Sequence, residues 1–534
     1  MNMADVLENS DRGGFALRFT QGLHRAAQVY PGRTATVCNG RLQSYRQLAA
    51  RVARLAAGLQ AHGARRGTRI AMLGLNSDRY LEYYLAVPWA GGVVNPVNFR
   101  WSLAEIVHAL KDSASEIVFV DDSFAAHVTA LRDACPALRL AIFCGEGACP
   151  ANCVAMEALI AAHAPAGDAG RGGDDTFGVF YTGGTTGQAK GVMLSHANVL
   201  NAAMGPMLEG LYRGHAVSLH AAPMFHLADL TNTAAQTLCG GTHVFLAHYR
   251  PDAVLPLIQE HAISDLLLVP AMLQSLVDHP HFAATDVSSV RNVVYGASSA
   301  TEALIERVLK AFPGAAFYQV YGMTETAGTV TILPPEQHDP QRRKAGRLRS
   351  AGRSFCHTEV RIIGPEGGEA ATGGIGEIVL RGPNIMQGYL NQEAATAATL
   401  RGGWMHTGDL GYMDDEGYVF IVDRLKDMIL SGGENVYSNE VENAIASHPA
   451  VLSCAVIGIP SEQWGESVHA VVVLRPEQAL TLADLDGHCR GLIASYKCPR
   501  SLALVPSLPM SGAGKLLKTE LRKAFWEGRG RNVN

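Results

Sequence analysis

Apolar residues follow two different spacings along the N-terminal part of the chain. Short apolar runs such as Arg69–Leu73 indicate buried strands, and segments with an apolar residue at every third or fourth position indicate amphipathic helices. Asn39-Gly40 predicts a hairpin turn, and Ser44 and Ser102 are predicted N-caps of two helices. Because strands and helices alternate, the pattern predicts doubly wound α/β layers.

Prolines, glycines and capping residues predict where several elements begin and end. A helix is predicted from Asp78 to Val87, with Pro88 helping to end it. Residues 164–173 are rich in glycine and alanine and predict a flexible linker into a strand at Thr176–Tyr181, and Ser195 is the predicted cap of the next helix. Further strands are predicted at Thr242–Leu246, Asp265–Val269 and Val290–Val294, and further helices at Asp252–His261, Met272–Asp278 and Thr301–Ala311.

The pattern changes after Gly346. From there to Val422 glycines are frequent and apolar runs are short, which predicts a small antiparallel sheet or barrel. Beyond Asp423–Asp427, a run of about a hundred residues has its own strands and helices, a typical size for a small domain. The sequence therefore predicts a large N-terminal domain, residues 1–424, of α/β layers with a small β-barrel-like segment, and a small mobile α+β domain, residues 425–534.

Composition and charge exclude several classes of protein. With 534 residues the chain is too long for one compact core, so at least two domains are expected. A formal net charge of −5 gives no electrostatic reason to expect binding to nucleic acid or to an anionic membrane. No apolar run reaches membrane-spanning length, and the first residues do not resemble a signal peptide. Ten cysteines without a Cys-x-x-Cys pair are expected to be free thiols in a reducing cytoplasm.

Glycine and threonine are concentrated between Tyr181 and Gly191, in the sequence Tyr-Thr-Gly-Gly-Thr-Thr-Gly-Gln-Ala-Lys-Gly. Glycines let successive backbone N–H groups approach one anion, and the hydroxyls and Lys190 add donors and positive charge. No Gly-Lys-Ser/Thr follows at the spacing of a Walker A loop. The alternative is an ordinary surface loop, but this composition after a strand favours phosphate binding.

Four further stretches carry groups that suit a nucleotide site. Glu325 follows a predicted strand, where a carboxylate could hold magnesium, although a solvated loop glutamate is the alternative. Asp409 could accept from two ribose hydroxyls, although most Gly-Asp pairs are only turns. For the stretch 423–437, the alternative interpretation is a charged linker. The last stretch presents Lys515 on a glycine loop, where the alternative is a surface charge.

The order and spacing of these stretches resemble the adenylate-forming superfamily, which includes acyl- and aryl-CoA synthetases, luciferase-like enzymes and peptide-synthetase adenylation domains. The resemblance extends from about Thr36 to Lys523 and is closest to fatty-acid or acyl-CoA synthetases. It implies a ligase that activates a carboxylic acid as acyl-AMP and transfers it to a thiol, releasing AMP and pyrophosphate. It implies ATP, Mg²⁺ and coenzyme A as co-substrates and cofactor.

The resemblance also implies roles for individual residues. Lys515 matches the catalytic lysine, Glu325 the magnesium ligand, Thr185 a catalytic position in the phosphate loop, and Lys426 the hinge. The positions implied in ATP or AMP binding are Thr182, Gly183, Gly184, Thr185, Thr186, Gly187, Lys190, Gly296, Ala297, Tyr321, Gly322, Met323, Thr324, Asp409 and Arg424. The acyl pocket is implied at Phe225, His226 and Ala327, and coenzyme A binding at Gly432, Gly433 and Glu434.

The chain departs from the family pattern at a few positions. Gly183 stands where a serine is usual, which removes a hydroxyl donor, and Ala189 stands where a proline is usual, which loosens the loop. Asp229 stands where a small residue is usual and bears on the shape of the acyl pocket. His226 resembles a gate or pocket-wall residue of that family. A buried histidine whose ring nitrogens are hydrogen-bonded within the core is an equal alternative.

The sequence constrains the acceptor thiol and the carboxylic acid less closely than it constrains the type of reaction. The chain stops soon after Lys515, so free coenzyme A is expected rather than a tethered carrier; an acyl-AMP ligase serving a separate carrier protein, a light-emitting oxygenase and a non-catalytic nucleotide-binding relative are the alternatives. The segments 223–230, 295–299 and 321–328 contain no Lys or Arg, which favours an apolar acid, fatty or aryl-alkanoic, over a dicarboxylic acid. Homo-oligomerisation is left open.

Overall fold

The computed structural model of the protein describes residues 16–182, 189–212, 214–298, 300–511 and 516–527. Within these ranges the strands belong to four sheets. In chain order the strands are β1 (Thr34–Cys38), β2 (Arg41–Ser44), β3 (Arg69–Leu73), β4 (Val93–Pro96), β5 (Ile117–Val120), β6 (Leu140–Phe143), β7 (Val154–Ala155), β8 (Thr176–Thr182), β9 (Lys190–Ser195), β10 (Val217–His220), β11 (Thr242–Phe245), β12 (Asp265–Leu267), β13 (Asn292–Gly296), β14 (Ala316–Tyr321), β15 (Thr331–Leu333), β16 (Arg353–Ser354), β17 (Glu359–Ile363), β18 (Gly376–Arg381), β19 (Gly388–Tyr389), β20 (Leu400–Arg401), β21 (Trp404–Met413), β22 (Val419–Arg424), β23 (Ile429–Ser431), β24 (Glu434–Val436), β25 (Val451–Ser461), β26 (Gly465–Leu474) and β27 (Ser501–Leu504).

The α-helices lie mainly between these strands. They are α1 (Gln21–Val29), α2 (Tyr45–Ala61), α3 (Asp78–Trp89), α4 (Leu103–Asp112), α5 (Val128–Ala134), α6 (Met156–Ala162), α7 (His196–Leu208), α8 (Leu227–Cys239), α9 (Pro251–Glu260), α10 (Pro270–Val277), α11 (Glu302–Ala311), α12 (Glu393–Thr399), α13 (Ser438–Ala446), α14 (Leu482–Arg490) and α15 (Lys518–Trp526). Ser44, Ser102 and Ser195 cap α2, α4 and α7, as the sequence predicts, and each accepts from the backbone N–H three residues on.

Two large sheets with parallel centres confirm the predicted α/β layers. One has the order β19-β9-β8-β4-β3-β5-β6-β7 and the other β16-β15-β14-β13-β12-β10-β11-β1-β2. In the second sheet β10, β12, β13 and β14 are parallel neighbours. Their carboxyl ends therefore meet at one edge, where open α/β sheets bind ligands.

Two local predictions in the N-terminal part differ from the structure. The helix predicted to end near Pro88 begins at Asp78 as predicted, but it includes Pro88 and ends one residue later, at Trp89. Residues 164–173 contain no helix or strand, but they are not a loose linker. The Ala166 N–H donates to the Ala53 carbonyl (3.0 Å), and Trp89 Nε1 donates to the Ala166 carbonyl (3.0 Å).

The predicted antiparallel segment and the C-terminal run form the two smaller sheets. β17-β18-β21-β20, with β22 on β21, make an antiparallel sheet as predicted. The C-terminal sheet has the order β24-β23-β26-β25, with β27 parallel to β26, and a cluster of buried residues between Ile429 and Cys498 forms its own core. The large and small parts agree with the predicted fold class, while the boundary at 424/425 remains a prediction.

Two findings bear on location. Among the described residues, no helix combines the length and apolar character needed to cross a bilayer. All ten cysteines lie in described parts of the chain and are unpaired, as the sequence predicts.

Candidate active site

The ends of β13 and β14 bring two predicted nucleotide-binding segments side by side. Gly296 ends β13, and a Cβ atom there would lie 2.1 Å from the Val320 carbonyl oxygen on β14, so a glycine is required for the strands to pair. The following Ala297 has a φ of +64°, a left-handed conformation that costs an alanine about 1 kcal/mol. Backbone held in such conformations is concentrated at ligand sites.

The turn after β14 is also held by a close backbone contact at a glycine. A Cβ on Gly322 would lie 2.3 Å from the Gly328 carbonyl oxygen, so the two sides of the turn are in close contact. The Met323 N–H donates to Thr326 Oγ1 (3.0 Å), and the Thr326 hydroxyl donates back to the Met323 carbonyl (2.9 Å). Thr324 lies in the single 3₁₀ turn between them, and Ala327 has a φ of +53°. The segment Tyr321–Thr324, predicted to bind ATP or AMP, is thus held in one conformation.

Asp409 joins this segment to the antiparallel sheet. Tyr321 donates its hydroxyl to Asp409 Oδ2 (2.7 Å), and Arg424 Nε lies 3.3 Å from Oδ1. Asp409 and Arg424 are direct partners in the β21–β22 ladder. The Asp409 carboxylate raises the pKa of Arg424, and burial together with Asp409 raises the pKa of Tyr321. Asp409 and Arg424, both predicted to bind the nucleotide, therefore lie side by side, and the Tyr321 hydroxyl fixes the position of the Asp409 carboxylate.

Glu325 is held by a residue that the sequence reasoning missed. Tyr389, on β19, donates its hydroxyl to Glu325 Oε1 (2.8 Å), while the Glu325 carbonyl accepts from the Met386 N–H (2.8 Å). Among the described residues, none donates to Oε2. A carboxylate with one fixed and one available oxygen fits a magnesium ion, which commonly takes one or two protein carboxylates and completes its shell with phosphate and water oxygens.

Tyr389 also connects Glu325 to the phosphate stretch. Lys190 Nζ lies 4.9 Å from the centre of the Tyr389 ring, within range of a cation–π interaction. Thr182 and Lys190 pair across β8 and β9, so the two ends of the phosphate stretch lie together. Gly183, Gly184, Thr185, Thr186 and Gly187 lie outside the described residues, as does Lys515.

The predicted acyl-pocket residues follow β10 and begin α8. Phe225 and His226 are half-buried between buried neighbours, and the Phe225 ring contacts Phe99 edge to face at 5.4 Å. His226 is the N-cap of α8 and accepts from the Ala228 N–H (3.3 Å). The Thr231 hydroxyl of α8 lies 3.0 Å from the Ala327 carbonyl, so the three predicted residues lie on adjoining elements.

Asp229 does not line an open pocket. It is fully buried, and both of its carboxylate oxygens lie 3.0 Å from Nδ1 of His220, at the end of β10. Asp229 can therefore affect the shape of the pocket by holding the pocket segment in place, but its side chain does not face the acid.

The predicted hinge lies in a charged network. Burial and the neighbouring Arg424 lower the pKa of Lys426, while the Leu425 N–H donates to the Gly408 carbonyl (2.9 Å). Asp427 pairs with Arg522 of α15 (2.6 Å). Hydrogen bonds and ion pairs, rather than apolar packing, thus hold the backbone around Lys426 to its neighbours.

The predicted coenzyme A loop forms the turn between β23 and β24. Gly432 and Gly433 have φ values of +64° and +84°, and Glu434 is exposed at the start of β24. The Gly432 N–H donates to the Trp464 carbonyl (2.8 Å), and the Trp464 indole is partly exposed beside it. Arg500 lies over this indole at 4.7 Å and donates to Ser431 Oγ (2.9 Å).

Three site residues were not predicted: Tyr389, Trp464 and Arg500. Tyr389 follows a glycine in an otherwise ordinary loop, and only the β9–β19 pairing brings it to Glu325. Trp464 offered a usable signal, since a tryptophan in the polar stretch Ser461–Gly465 has no apolar periodicity that would bury it. Arg500 had no comparable signal.

Comparisons with known proteins agree with this geometry. The family model of AMP-binding enzymes matches residues 23–390, and that of the AMP-binding enzyme C-terminal domain matches residues 440–515. A feruloyl-CoA synthase of Amycolatopsis sp. is 39% identical over 502 residues, covering 94% of this chain and 98% of the relative. A fatty acid–[acyl-carrier-protein] ligase of Streptomyces coeruleorubidus is 36% identical over 512 residues, covering 95% and 96%.

A solved structure extends the likeness to a trapped intermediate. The o-succinylbenzoate-CoA synthetase of Bacillus subtilis, in complex with its acyl-adenylate, superposes with a TM-score of 0.82 at 30% identity and covers 94% of this chain and 97% of that one. Because the family models cover most of the chain and the relatives align almost end to end, this protein belongs to the AMP-binding enzymes of the adenylate-forming superfamily and is an AMP-forming ligase of the acyl-CoA synthetase type.

Proposed function

We propose that the protein activates an apolar carboxylic acid, fatty or aryl-alkanoic, as its acyl-AMP and transfers the acyl group to coenzyme A. The observation that supports this most directly is the convergence of Glu325, Asp409 and Arg424 around the turn after β14. That arrangement offers acceptors for a ribose and an available carboxylate oxygen for a metal beside this turn.

In the first half of the proposed reaction, the acid's carboxylate oxygen forms a bond to the α-phosphorus of ATP and the bond to pyrophosphate breaks. Such a transfer depends on positioning and on neutralised charge. Asp409 holds the ribose, and Lys190 meets the departing phosphates. Magnesium at Glu325 supplies charge neutralisation when bound. Lys515 approaches the α-phosphate and the carboxylate together.

In the second half, the thiol attacks the acyl carbonyl and AMP leaves. We propose that Lys515 has to leave the site for the thiol to enter, and that a domain rotation at Lys426 withdraws it. We propose the boundary at 424/425 and the hinge at Lys426. The charged contacts around Lys426, and the separate core of the C-terminal sheet, support this division.

The acid is proposed from the character of the pocket segments. Phe225 and Phe99 are half-buried and offer apolar surface, whereas Ala327 is fully buried. No Lys or Arg occurs in residues 223–230, 295–299 or 321–328. A second carboxylate on the substrate would therefore lack a cationic partner there, and burying an unpaired charge is costly. The feruloyl-CoA synthase relative agrees with an aryl-alkanoic or arylalkenoic acid and the carrier-protein ligase relative with a fatty one.

Coenzyme A is proposed as the acceptor because the turn at Gly432 lies next to an aromatic face and an arginine. Trp464 and Arg500 suit a ligand that combines an adenine ring with phosphates. The free thiols support a cytoplasmic location. The second candidate acceptor is a separate carrier protein, which the 36% identical carrier-protein ligase favours.

The test is an AMP-release assay on the purified protein with a panel of carboxylic acids, with and without coenzyme A. We expect release of pyrophosphate with an apolar acid alone, and AMP together with acyl-CoA only when coenzyme A is added. Pyrophosphate release without acyl-CoA, but with loading of a carrier protein, would select the second candidate. No pyrophosphate release with any acid would reject the proposed function.

A further inference from the structure

A buried chain of hydrogen bonds crosses from α8 to the second sheet behind the acyl-pocket segment. It runs from Asp229 of α8 to His220 of β10, then to His243 of β11 and back to Thr237 of α8. His220, Asp229 and His243 are all fully buried. None of these side chains has a part in the reaction described above.

The hydrogen bonds determine where the protons are. The Thr237 hydroxyl donates to the Thr233 carbonyl (2.8 Å), so its oxygen can only accept from Nε2 of His243 (3.3 Å). Burial lowers the pKa of His243, so this ring is neutral and its Nδ1 accepts from Nε2 of His220 (2.9 Å).

His220 therefore carries a proton on Nε2. Its Nδ1 faces both oxygens of Asp229 at 3.0 Å, so a hydrogen bond joins the two side chains. The pair places two ionisable groups inside the core. Such a pair costs desolvation, and apolar residues of similar volume often stabilise a fold as well or better. A role beyond stability is therefore worth testing.

The position of the pair indicates that role. His220 and Asp229 lie at the two ends of the segment 221–228, which contains Phe225 and His226, and the hydrogen bond between them closes this segment into a loop. The middle of the segment 221–228 is held by the buried Asn76, which follows β3 of the other large sheet. Asn76 accepts from the Met224 N–H (2.8 Å) and donates to the Ala222 carbonyl (2.8 Å).

The same hydrogen-bonded pair also sets the start of α8 relative to the turn at Ala327. The Thr231 hydroxyl lies within hydrogen-bond distance of the Leu227 carbonyl (2.8 Å) and the Ala327 carbonyl (3.0 Å). A shift of the first turn of α8 would therefore move Phe225 and His226 on one side and Ala327 on the other.

We propose that His220 and Asp229 are positioning residues for acid recognition: the hydrogen bond between them fixes the loop 221–228 and so determines which carboxylic acids fit beside Phe225 and His226. This inference rests on the proposed function, since it assumes that the loop contacts the acid. It assigns no contact with the substrate to either residue.

The experiment measures pyrophosphate exchange with a series of straight-chain and aryl-alkanoic acids. Asp229→Asn keeps the size of the side chain but removes the carboxylate that faces His220. We expect the order of preference among acids to change, with kcat/KM for the preferred acid falling about ten- to a hundredfold and the KM for ATP unchanged. Asp265→Asn is the matched control, because Asp265 is a buried carboxylate in the same sheet, opposite Ser218 of β10. Its side chain bonds to Ser264 and to Asn292 (2.8 Å), outside the loop 221–228.

A role in stability alone would give a different result. Asp229→Asn would then lower the melting temperature, as the control does, while kcat/KM fell by the same factor for every acid or did not change, and this would overturn the inference. If Asp229→Asn does not fold, the double variant His220→Leu with Asp229→Leu removes both ionisable groups together. A folded double variant with the parent's acid preference would also overturn it. A parent protein that exchanges pyrophosphate with no acid would reject the proposed function and this inference together.

Discussion

The nucleotide side of the site and the C-terminal part of the chain are held in different ways. Around the turn after β14, each functional side chain has a fixed partner: Tyr321 holds Asp409, and Tyr389 holds Glu325. These partners stand on strands packed into large cores. Hydrogen-bonded groups on packed strands cannot move independently, so this side is preorganised for one geometry.

The C-terminal part meets the rest of the protein through polar contacts. Ser438, at the start of α13, donates its N–H to Asp423 (2.6 Å), and the side chain of Gln274 reaches the Leu452 carbonyl (3.4 Å). Water can replace such contacts at a small net cost, of about 1 kcal/mol each, whereas buried apolar surface cannot be exposed so cheaply. This difference supports the proposal that the C-terminal part moves while the nucleotide side stays in place.

The largest effect is expected at Lys515, the residue predicted to be delivered by the moving part. Lys515→Ala should slow adenylation by about a hundred- to a thousandfold, since a well-placed charge contact in a transition state is worth that much. Thioester formation from supplied acyl-AMP should be affected much less. Single-turnover assays of each half-reaction measure both rates. An equal loss in the two halves would remove the reason for a moving lysine.

The next test removes the movement itself. Proline fixes its own φ and restricts the preceding residue, so Lys426→Pro should prevent rotation while both parts stay folded. We expect acyl-AMP to form near the parent's rate and transfer to coenzyme A to slow by about a hundredfold. Stopped single turnovers, with a melting curve as folding control, check this. Normal thioester formation by the folded variant would move the hinge elsewhere.

On the fixed side, Glu325→Gln should raise the magnesium requirement and slow adenylation without unfolding the protein, because it removes the anionic oxygen. Tyr389→Phe is the graded companion: it keeps the ring beneath Lys190 but frees the Glu325 carboxylate, which should weaken magnesium binding by about tenfold. Magnesium titrations of the adenylation rate compare the two. Superimposable curves for parent and Glu325→Gln would exclude Glu325 as the ligand.

The smallest effect is expected on the exposed face of the small part. Trp464→Ala should raise the KM for coenzyme A by about tenfold through loss of a stacking surface, and leave pyrophosphate exchange unchanged. Trp464→Phe should recover most of the loss, since it retains an aromatic face. A KM that stays at the parent's value in both variants would place coenzyme A away from Gly432 and Arg500.

Local signals in the sequence accounted for much of the fold. Capping serines such as Ser195, the Asn39-Gly40 hairpin and the apolar strands act over a few residues, so they can be read from the chain directly. The predictions failed where a distant contact decided the outcome. Residues 164–173 look like a linker by composition, and only contacts with Ala53 and Trp89 hold them in place.

The residues of the candidate site show the same division between local sequence signals and distant contacts. Glu325, Asp409 and Arg424 could be predicted because their spacing resembles a family, but Tyr389 could not, because its hydroxyl reaches Glu325 only through the pairing of β19 with β9. Asp229 was singled out by its position. That it pairs with His220 rather than facing the acid depends on how α8 packs on β10.

By itself, then, the sequence determined the elements, the layered α/β architecture and the order of the groups that act on a nucleotide, because capping, periodicity and short motifs are properties of neighbouring residues. Only the tertiary structure decided which groups meet. The Asp409–Arg424 pair, the Tyr389 hydrogen bond and the His220–Asp229 hydrogen bond each join residues that the chain separates, and their contacts depend on strand register and on the packing of whole elements.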